Sequence, residues 1–296
     1  MKLLLSGSSG FVGQALISHL AERGYEVRRL VRRDNPSAET VIWNPDSGRI
    51  EASACEHFDA VIHLGGENIA AGRWTQRRKK RLRNSRVNST RFLALTLSQL
   101  QHPPKVFACA SAIGFYGDRG DEILTEQSPA GVGFMAELGQ EWESACQPAF
   151  DRGIRVVNLR FGIILGKKGG ALAKMLTPFR CGIGGKIGNG RQYWSWISLT
   201  DAVRAVDYCL NHESVSGPVN LVSPGPPTNY EFTKALGKAL RRPTILPLPG
   251  FAARLAFGEM ADSALLASAR VEPEALINNG FEFTHPDLAS ALAAAI

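Results

Sequence analysis

The sequence predicts an α/β fold. A doubly wound parallel sheet carries helices on both faces, and a smaller C-terminal lobe closes over the strand ends. Three observations predict it. Short apolar runs alternate with helical spacings through the first 165 residues, as parallel sheets require. Glycines spaced three apart separate the first run from the first helical stretch. After Gly166 the texture changes to clustered glycines and aromatic residues.

Leu3-Leu4-Leu5 reads as a short buried strand. Phe11 to Glu22 places apolar residues at 11, 12, 15, 16 and 20, one face of a helix, and Gly24 ends it. Glu26 to Val31 is the next strand, followed by Val41–Trp43, Ala60–Leu64, Val106–Ala110 and Val156–Leu159. Helices fit at about 84–100 and 134–150. Residues 166–198 read as a glycine-rich loop region that also holds Tyr193, Trp194 and Trp196. A helix from Leu199 to Asn211 and a strand from Pro218 to Val222 return the chain to the sheet. The tail from Tyr230 reads mainly as helices divided by prolines. The expected division is a nucleotide-binding domain, 1–165 with about 199–222, and a smaller lobe, 166–198 with 223–296.

Composition excludes several classes. With 44% hydrophobic and 21% charged residues, the 296-residue chain is an ordinary globular protein. No apolar run approaches the roughly 18 residues of a membrane span, and the first residues hold no apolar core of a secretion signal. The five cysteines are scattered, without a C-x-x-C or an H-E-x-x-H, so neither a disulfide framework nor a metal site is expected. A cytoplasmic protein, a monomer or a homodimer, is the expectation. The net charge of +7 comes from one segment: Arg73 to Arg91 holds nine basic residues and no acid. It lacks the interleaved aromatics of a nucleic-acid stacking platform. It reads as a solvated helix face with one or two phosphate-binding arginines.

The loop Ser6-Gly7-Ser8-Ser9-Gly10-Phe11-Val12-Gly13 joins the first strand to the first helix. Gly7 suits a tight turn, Gly10 lets the backbone approach a pyrophosphate, and Gly13 lets helix and strand pack closely. Free N–H groups and the helix dipole favour an anion there. The expected contacts are Gly7, Ser9, Gly10, Phe11, Val12 and Gly13, in a Rossmann-type dinucleotide site. Arg32 and Arg33 end the second strand, where an acid would select NAD. Guanidinium groups favour a 2′-phosphate, hence NADP(H).

These residues resemble the extended short-chain dehydrogenase/reductase family along nearly the whole chain. His63-Leu64-Gly65-Gly66 is similar to its cofactor-side turn, and Val87-Asn88-Ser89-Thr90 to its N-V-x-G-T helix. Ser111 to Gly117 resembles its S-S-x-x-x-Y-G segment, whose first serine helps hold a substrate oxygen. Arg160 to Gly166 resembles the segment near the nicotinamide, and Gly188 to Gln192 the substrate loop of nucleotide-sugar enzymes. Gly65-Gly66-Glu67-Asn68-Ile69, with Arg73-Trp74, is similar to an epimerase-like branch. The resemblance implies cofactor contacts at Arg32, Leu64, Gly65, Gly66, Arg86, Ser111 and Arg160, and a small-molecule substrate.

The departures bear on chemistry. The family's Tyr-x-x-x-Lys pair exchanges a proton and holds the nicotinamide ribose. Here Phe134 stands at the tyrosine position and Leu138 at the lysine position, and no other Tyr-x-x-x-Lys exists in the chain. Trp194-Ser195 replaces the Arg-Asp pair that grips a sugar diphosphate. Ser111 either orients a substrate carbonyl or satisfies a strand end. Tyr116 is the nearest hydroxyl able to replace the absent tyrosine, or it is packing. Tyr193, Trp194 and Trp196 line a substrate pocket or seal the lobe interface. The readings are an NADP(H)-dependent, epimerase-like oxidoreductase with a rearranged proton donor, or a non-catalytic NADPH-binding sensor.

Overall fold

Leu3, Leu4 and Leu5 are all completely buried, because a strand sends alternate side chains to opposite faces and both faces are covered. The computed structural model describes residues 1–32, 39–167 and 169–296. The first half runs β1 (Lys2–Ser6), α1 (Phe11–Glu22), β2 (Glu26–Val31), β3 (Thr40–Asn44), β4 (Arg49–Ile50), β5 (Ala60–His63), α2 (Gln76–Arg83), α3 (Ser89–Ser98), β6 (Val106–Ala112), β7 (Ile123–Leu124), α4 (Phe134–Ser144), α5 (Gln147–Asp151) and β8 (Arg155–Phe161). The remainder runs β9 (Ile163–Gly166), α6 (Gly170–Arg180), β10 (Trp196–Ser198), α7 (Leu199–Asn211), β11 (Gly217–Leu221), α8 (Asn229–Leu240), α9 (Gly250–Phe257), β12 (Arg270–Val271), α10 (Glu274–Asn278) and α11 (Leu288–Ala295).

Among the described residues the main sheet has eight strands, ordered β11-β8-β6-β5-β1-β2-β3-β4. Every pairing is parallel except β3 with β4. Leu3 and Leu5 pack with Leu16 and Leu20 of α1 and Val203 and Val206 of α7. Leu4 packs on the other face with Leu93 and Leu97 of α3 and Trp142 of α4. The chain leaves β1 to form β2 on one side and later β5 on the other. The reversal of strand order therefore falls beside β1, where the crevice of such a sheet opens.

Three expectations are corrected. Residues 166–198 are not loop alone, since α6 and β10 lie within them. Gly169-Gly170 at the start of α6 and Pro178 inside it mask its spacing, yet Leu172, Leu176 and Phe179 are buried at helical intervals. They join Trp194, Trp196, Phe232 of α8 and Leu292 of α11 in a separate core. The expected helix at 84–100 starts earlier, as α2, and is interrupted by a π-helical turn at Asn84–Asn88 before α3. The stretch 134–150 is likewise two helices, with Pro148 in the first turn of α5. Among the described residues no helix is long and apolar enough to cross a membrane.

Candidate functional site

A cleft of about 280 Å³ opens at the carboxyl ends of β1, β5 and β6. Its floor is the turn after β1. Gly7 has φ +74°, and a Cβ there would stand 2.7 Å from the Leu64 carbonyl carbon. A Cβ on Gly13 would stand 2.2 Å from the Gly7 oxygen, so α1 approaches β1 only without a side chain at that position. Gly10 donates its N–H to the Gly7 oxygen (2.9 Å). No side chain caps α1, so its first N–H groups remain available to an anion. Gly7, Gly10, Phe11, Val12 and Gly13 line the cleft, whereas Ser9 does not.

The β5 end supplies the next wall. His63 is wholly buried, hydrogen-bonded to Ser6 through Nδ1 and 3.3 Å from Ser89 Oγ through Nε2. Ser89 gives its own proton to the carbonyl oxygens of Ser85 and Arg86. Nε2 is thus the imidazole donor and Nδ1 accepts from Ser6. Burial, with the nearby Arg32 charge adding to it, pushes the imidazole pKa down to about 3. Leu64 and Ile69 line the cleft, and Gly65 and Gly66 follow behind the lining. A Cβ on Gly65 would approach His63 Cε1 to 2.9 Å.

Arg86 reaches the cleft from the π-helical turn, a distortion found often at functional positions. Its Nη2 donates to the Glu67 oxygen (2.8 Å), and its guanidinium lies 5.1 Å from the Trp142 ring centre. Burial lowers its pKa to about 10, against the pull of Glu67, so it stays charged at neutral pH. The basic segment is therefore not a purely solvated face. Arg78 also turns inward, onto the Glu67 carboxylate and the Asn68 oxygen.

Ser111, near the end of β6, is the one hydroxyl-bearing residue lining the cleft among the described residues. It donates to Glu143 Oε1 at 2.7 Å. Arg160 clamps the same carboxylate, Nε to Oε1 at 2.7 Å and Nη2 to Oε2 at 2.8 Å. Arg160 also donates from Nη1 to the Tyr116 hydroxyl (2.9 Å), and its guanidinium lies 3.6 Å from the Phe115 ring centre. Tyr116 is fully buried and gives its proton to Asn220 Oδ1 (2.7 Å) or the Thr125 oxygen (3.0 Å). Burial raises the pKa of this phenol. Tyr116 and Arg160 are thus brought together with Ser111, but behind the cleft wall rather than on it. Glu126 is buried too, accepting the N–H groups of Asn220 (2.9 Å) and Ala275 (3.2 Å).

Met135, Leu138, Gly139 and Trp142 of α4, with Phe161, complete the cleft. Leu138 offers it only hydrocarbon, and Phe134 is not on its surface. Trp194 and Trp196 belong to the second core and Tyr193 lies under the Arg270 guanidinium, 4.9 Å from its ring centre; none of the three lines the cleft. Arg32 follows β2 with a half-exposed side chain, 3.9 Å from Asp46. Arg33 lies outside the described residues. Among the described residues no group of three or more His, Cys, Asp or Glu side chains is placed to hold a metal ion.

Glu143 escaped the sequence reading, although a signal existed. Glu137 and Glu141 share an outer helix face with Arg83. Glu143 falls instead on the face of the buried Ala136 and Gly139, seven and four residues back, so it is an acid on an apolar stripe.

Residues 3–222 match the NAD dependent epimerase/dehydratase family, and residues 248–295 match a domain of unknown function (DUF1731). An epimerase family protein of Mycobacterium leprae is 44% identical over 97% of this chain and 93% of its own. The crystal structure of human epimerase family protein SDR39U1 (isoform 2) with NADPH superposes with a TM-score of 0.92, at 32% identity, over 100% of this chain and 99% of that one. A nucleoside-diphosphate sugar epimerase structure from Corynebacterium glutamicum gives a TM-score of 0.82 and 35% identity, over 100% of this chain and 58% of that one.

Proposed function

The chain belongs to the NAD dependent epimerase/dehydratase family, and from that premise we propose that it binds NADP(H) in the cleft beside β1 and acts as an epimerase-like oxidoreductase on a small molecule. The glycine cradle fits the group: Gly7 and Gly13 let the turn pack tightly against Leu64 and α1, and the uncapped N–H groups at the start of α1 lie on the cleft. The N–H groups at Phe11 to Gly13 would hold the pyrophosphate, and Arg86 would add positive charge. The turn Leu64-Gly65-Gly66 would follow the nucleotide, with Ser9 at the rim. Arg32 and Arg33 would take the 2′-phosphate. The NADPH held by the human relative supports this choice. When bound, the nicotinamide supplies hydride transfer.

The observation that carries an enzymatic reading is Ser111. It is a hydroxyl on the cleft wall, fixed by the Glu143 carboxylate that Arg160 fixes in turn. Residues 1–165 with 199–222 would form the nucleotide domain, and the remainder a lobe that shapes access. The hydrocarbon at Met135 and Leu138, where a proton donor is absent, favours a second reading as a non-catalytic NADPH sensor. Calorimetry with NADPH and NADH tests the binding. A turnover screen with nicotinamide cofactors and small carbonyl and hydroxyl compounds, on wild type and Ser111→Ala, separates the readings. Turnover lost in the variant supports the enzyme, and no turnover with tight NADPH binding supports the sensor.

A further inference from the structure

We infer that the small molecule meeting Ser111 presents a hydroxyl rather than a carbonyl, an inference that rests on the function proposed above. A serine hydroxyl has one proton and two lone pairs. The Ser111 proton points away from the cleft, to Glu143 Oε1 at 2.7 Å. Glu143 is an acceptor there, because Arg160 donates to both of its oxygens. The pair has little freedom to rearrange. Arg160 is 3% exposed, stacked 3.6 Å from the Phe115 ring centre, and tied by a third bond to Tyr116.

What Ser111 can offer a ligand is therefore its lone pairs. A carbonyl oxygen only accepts and finds no donor in that hydroxyl. An alcohol donates to Ser111 and leaves the Ser111–Glu143 bond intact. Freeing the serine proton for a carbonyl would strip one of three hydrogen bonds from the Glu143 carboxylate, which is 12% exposed, at a cost comparable to what the new bond returns. The walls beside Ser111 are hydrocarbon: Ala110, Ala112, Met135, Leu138 and Phe161. The indole N–H of Trp142, which lines the cleft from α4, is already given to Thr90 Oγ1 (2.9 Å). The other donors of the cleft, Arg86 and the α1 amides, are those assigned above to the nucleotide. The chemical class is an uncharged alcohol with an apolar body.

The test uses the full chain saturated with 2′-phospho-ADP-ribose, which fills the nucleotide cradle but has no nicotinamide to react. Cyclohexanol and cyclohexanone, matched in size, are then titrated separately by ligand-observed NMR. One hydrogen bond of difference predicts that cyclohexanol binds about three- to tenfold more tightly. Ser111→Ala should bring the ratio close to one. Equal affinities in the wild type, tighter binding of the ketone, or an alcohol preference that survives Ser111→Ala would each overturn the inference. The wild-type ratio stands even if the variant fails to fold. The nucleotide titration reports separately on the function proposed above: if 2′-phospho-ADP-ribose does not bind, that reading falls and this inference falls with it. If it binds and the ratio is absent, only the inference falls.

Discussion

The Phe134 ring meets the Trp74 ring edge-on, with centres 5.4 Å apart and planes at 68°. Trp74 in turn donates its indole N–H to the Ile69 oxygen (2.8 Å), and Ile69 lines the cleft. Phe134, expected at the family's tyrosine position, thus supports the segment after β5 that lines the cleft. Lys79 adds its ammonium 5.0 Å from the Phe134 ring centre.

Restoring the family pair tests this register. Phe134→Tyr alone should shift unfolding free energy by less than about 0.5 kcal/mol, since only a hydroxyl is added at a half-exposed site. Adding Leu138→Lys places an ammonium at a site 1% exposed and should cost about 2–4 kcal/mol. The double variant should nonetheless gain NADPH-dependent reduction of a small carbonyl compound by about 10²-fold, because a positioned acid typically contributes 10²–10⁴. NADPH absorbance and urea unfolding read the two effects. An inactive double variant that binds NADPH normally would favour the sensor reading.

Arg32 should decide cofactor preference. Among the described residues its half-exposed guanidinium has a single ion-pair contact, 3.9 Å from Asp46, so a 2′-phosphate meets little competition. Charge-assisted bonds of this kind predict NADPH binding about 10- to 100-fold tighter than NADH. Arg32→Ala should cut that ratio to about threefold and leave NADH affinity nearly unchanged. Calorimetry on both proteins checks it, and equal wild-type affinities would remove the idea.

His63 predicts an acid-side loss of stability. The folded imidazole stays neutral down to about pH 3, while an unfolded one takes a proton near its ordinary 6.5. The unfolded state binds more protons between these values. This contribution is full above about pH 6.5 and declines as pH falls, by at most about 1.4 kcal/mol per pH unit. His63→Asn should lower stability at pH 8 yet flatten the slope between pH 6.5 and 5. Urea midpoints at four pH values would show it, and parallel slopes in the two proteins would contradict it.

Tyr116→Phe should destabilise without touching the cleft. It leaves Asn220 Oδ1 and one Arg160 N–H without the phenol, a loss of about 1–3 kcal/mol. NADPH affinity should stay within about twofold of wild type, because the phenol lies behind the wall. A tenfold loss of affinity at unchanged stability would place Tyr116 on the ligand instead.

Locally encoded features were legible in the sequence. The Leu3–Leu5 strand, the glycine turn and α7 follow from run length, positive-φ requirements and period. Elements whose pattern is diluted were not legible. Gly169-Gly170 and Pro178 hide α6, and a two-residue strand such as β12 has no periodicity to read. In the cleft lining, positions beside a recognisable motif were legible, as at Gly7, Leu64 and Ser111. Glu143 and Met135 were not, because their roles depend on how α4 docks across β6 and β8, a relation between distant segments. Trp194 and Trp196 look the same in sequence whether they wall a pocket or fill a core. Only the packing of α6, α8 and α11 around them assigns them to the core.

The π-helical turn at Asn84–Asn88 acts as a phase shifter between two helices. Each residue of an α-helix advances the direction of its side chain by about 100°. Deleting one residue there would fuse α2 and α3 into a single regular rod, with every other side chain chemically retained. It would also rotate α2 by a quarter turn or more against α3. Arg78 would leave Glu67, and Arg86 could not face Trp142 while Leu93 and Leu97 kept their places in the core. The number of residues between Trp74 and Leu93 is therefore a design variable in its own right. Substitution scanning never samples it, and insertion or deletion does.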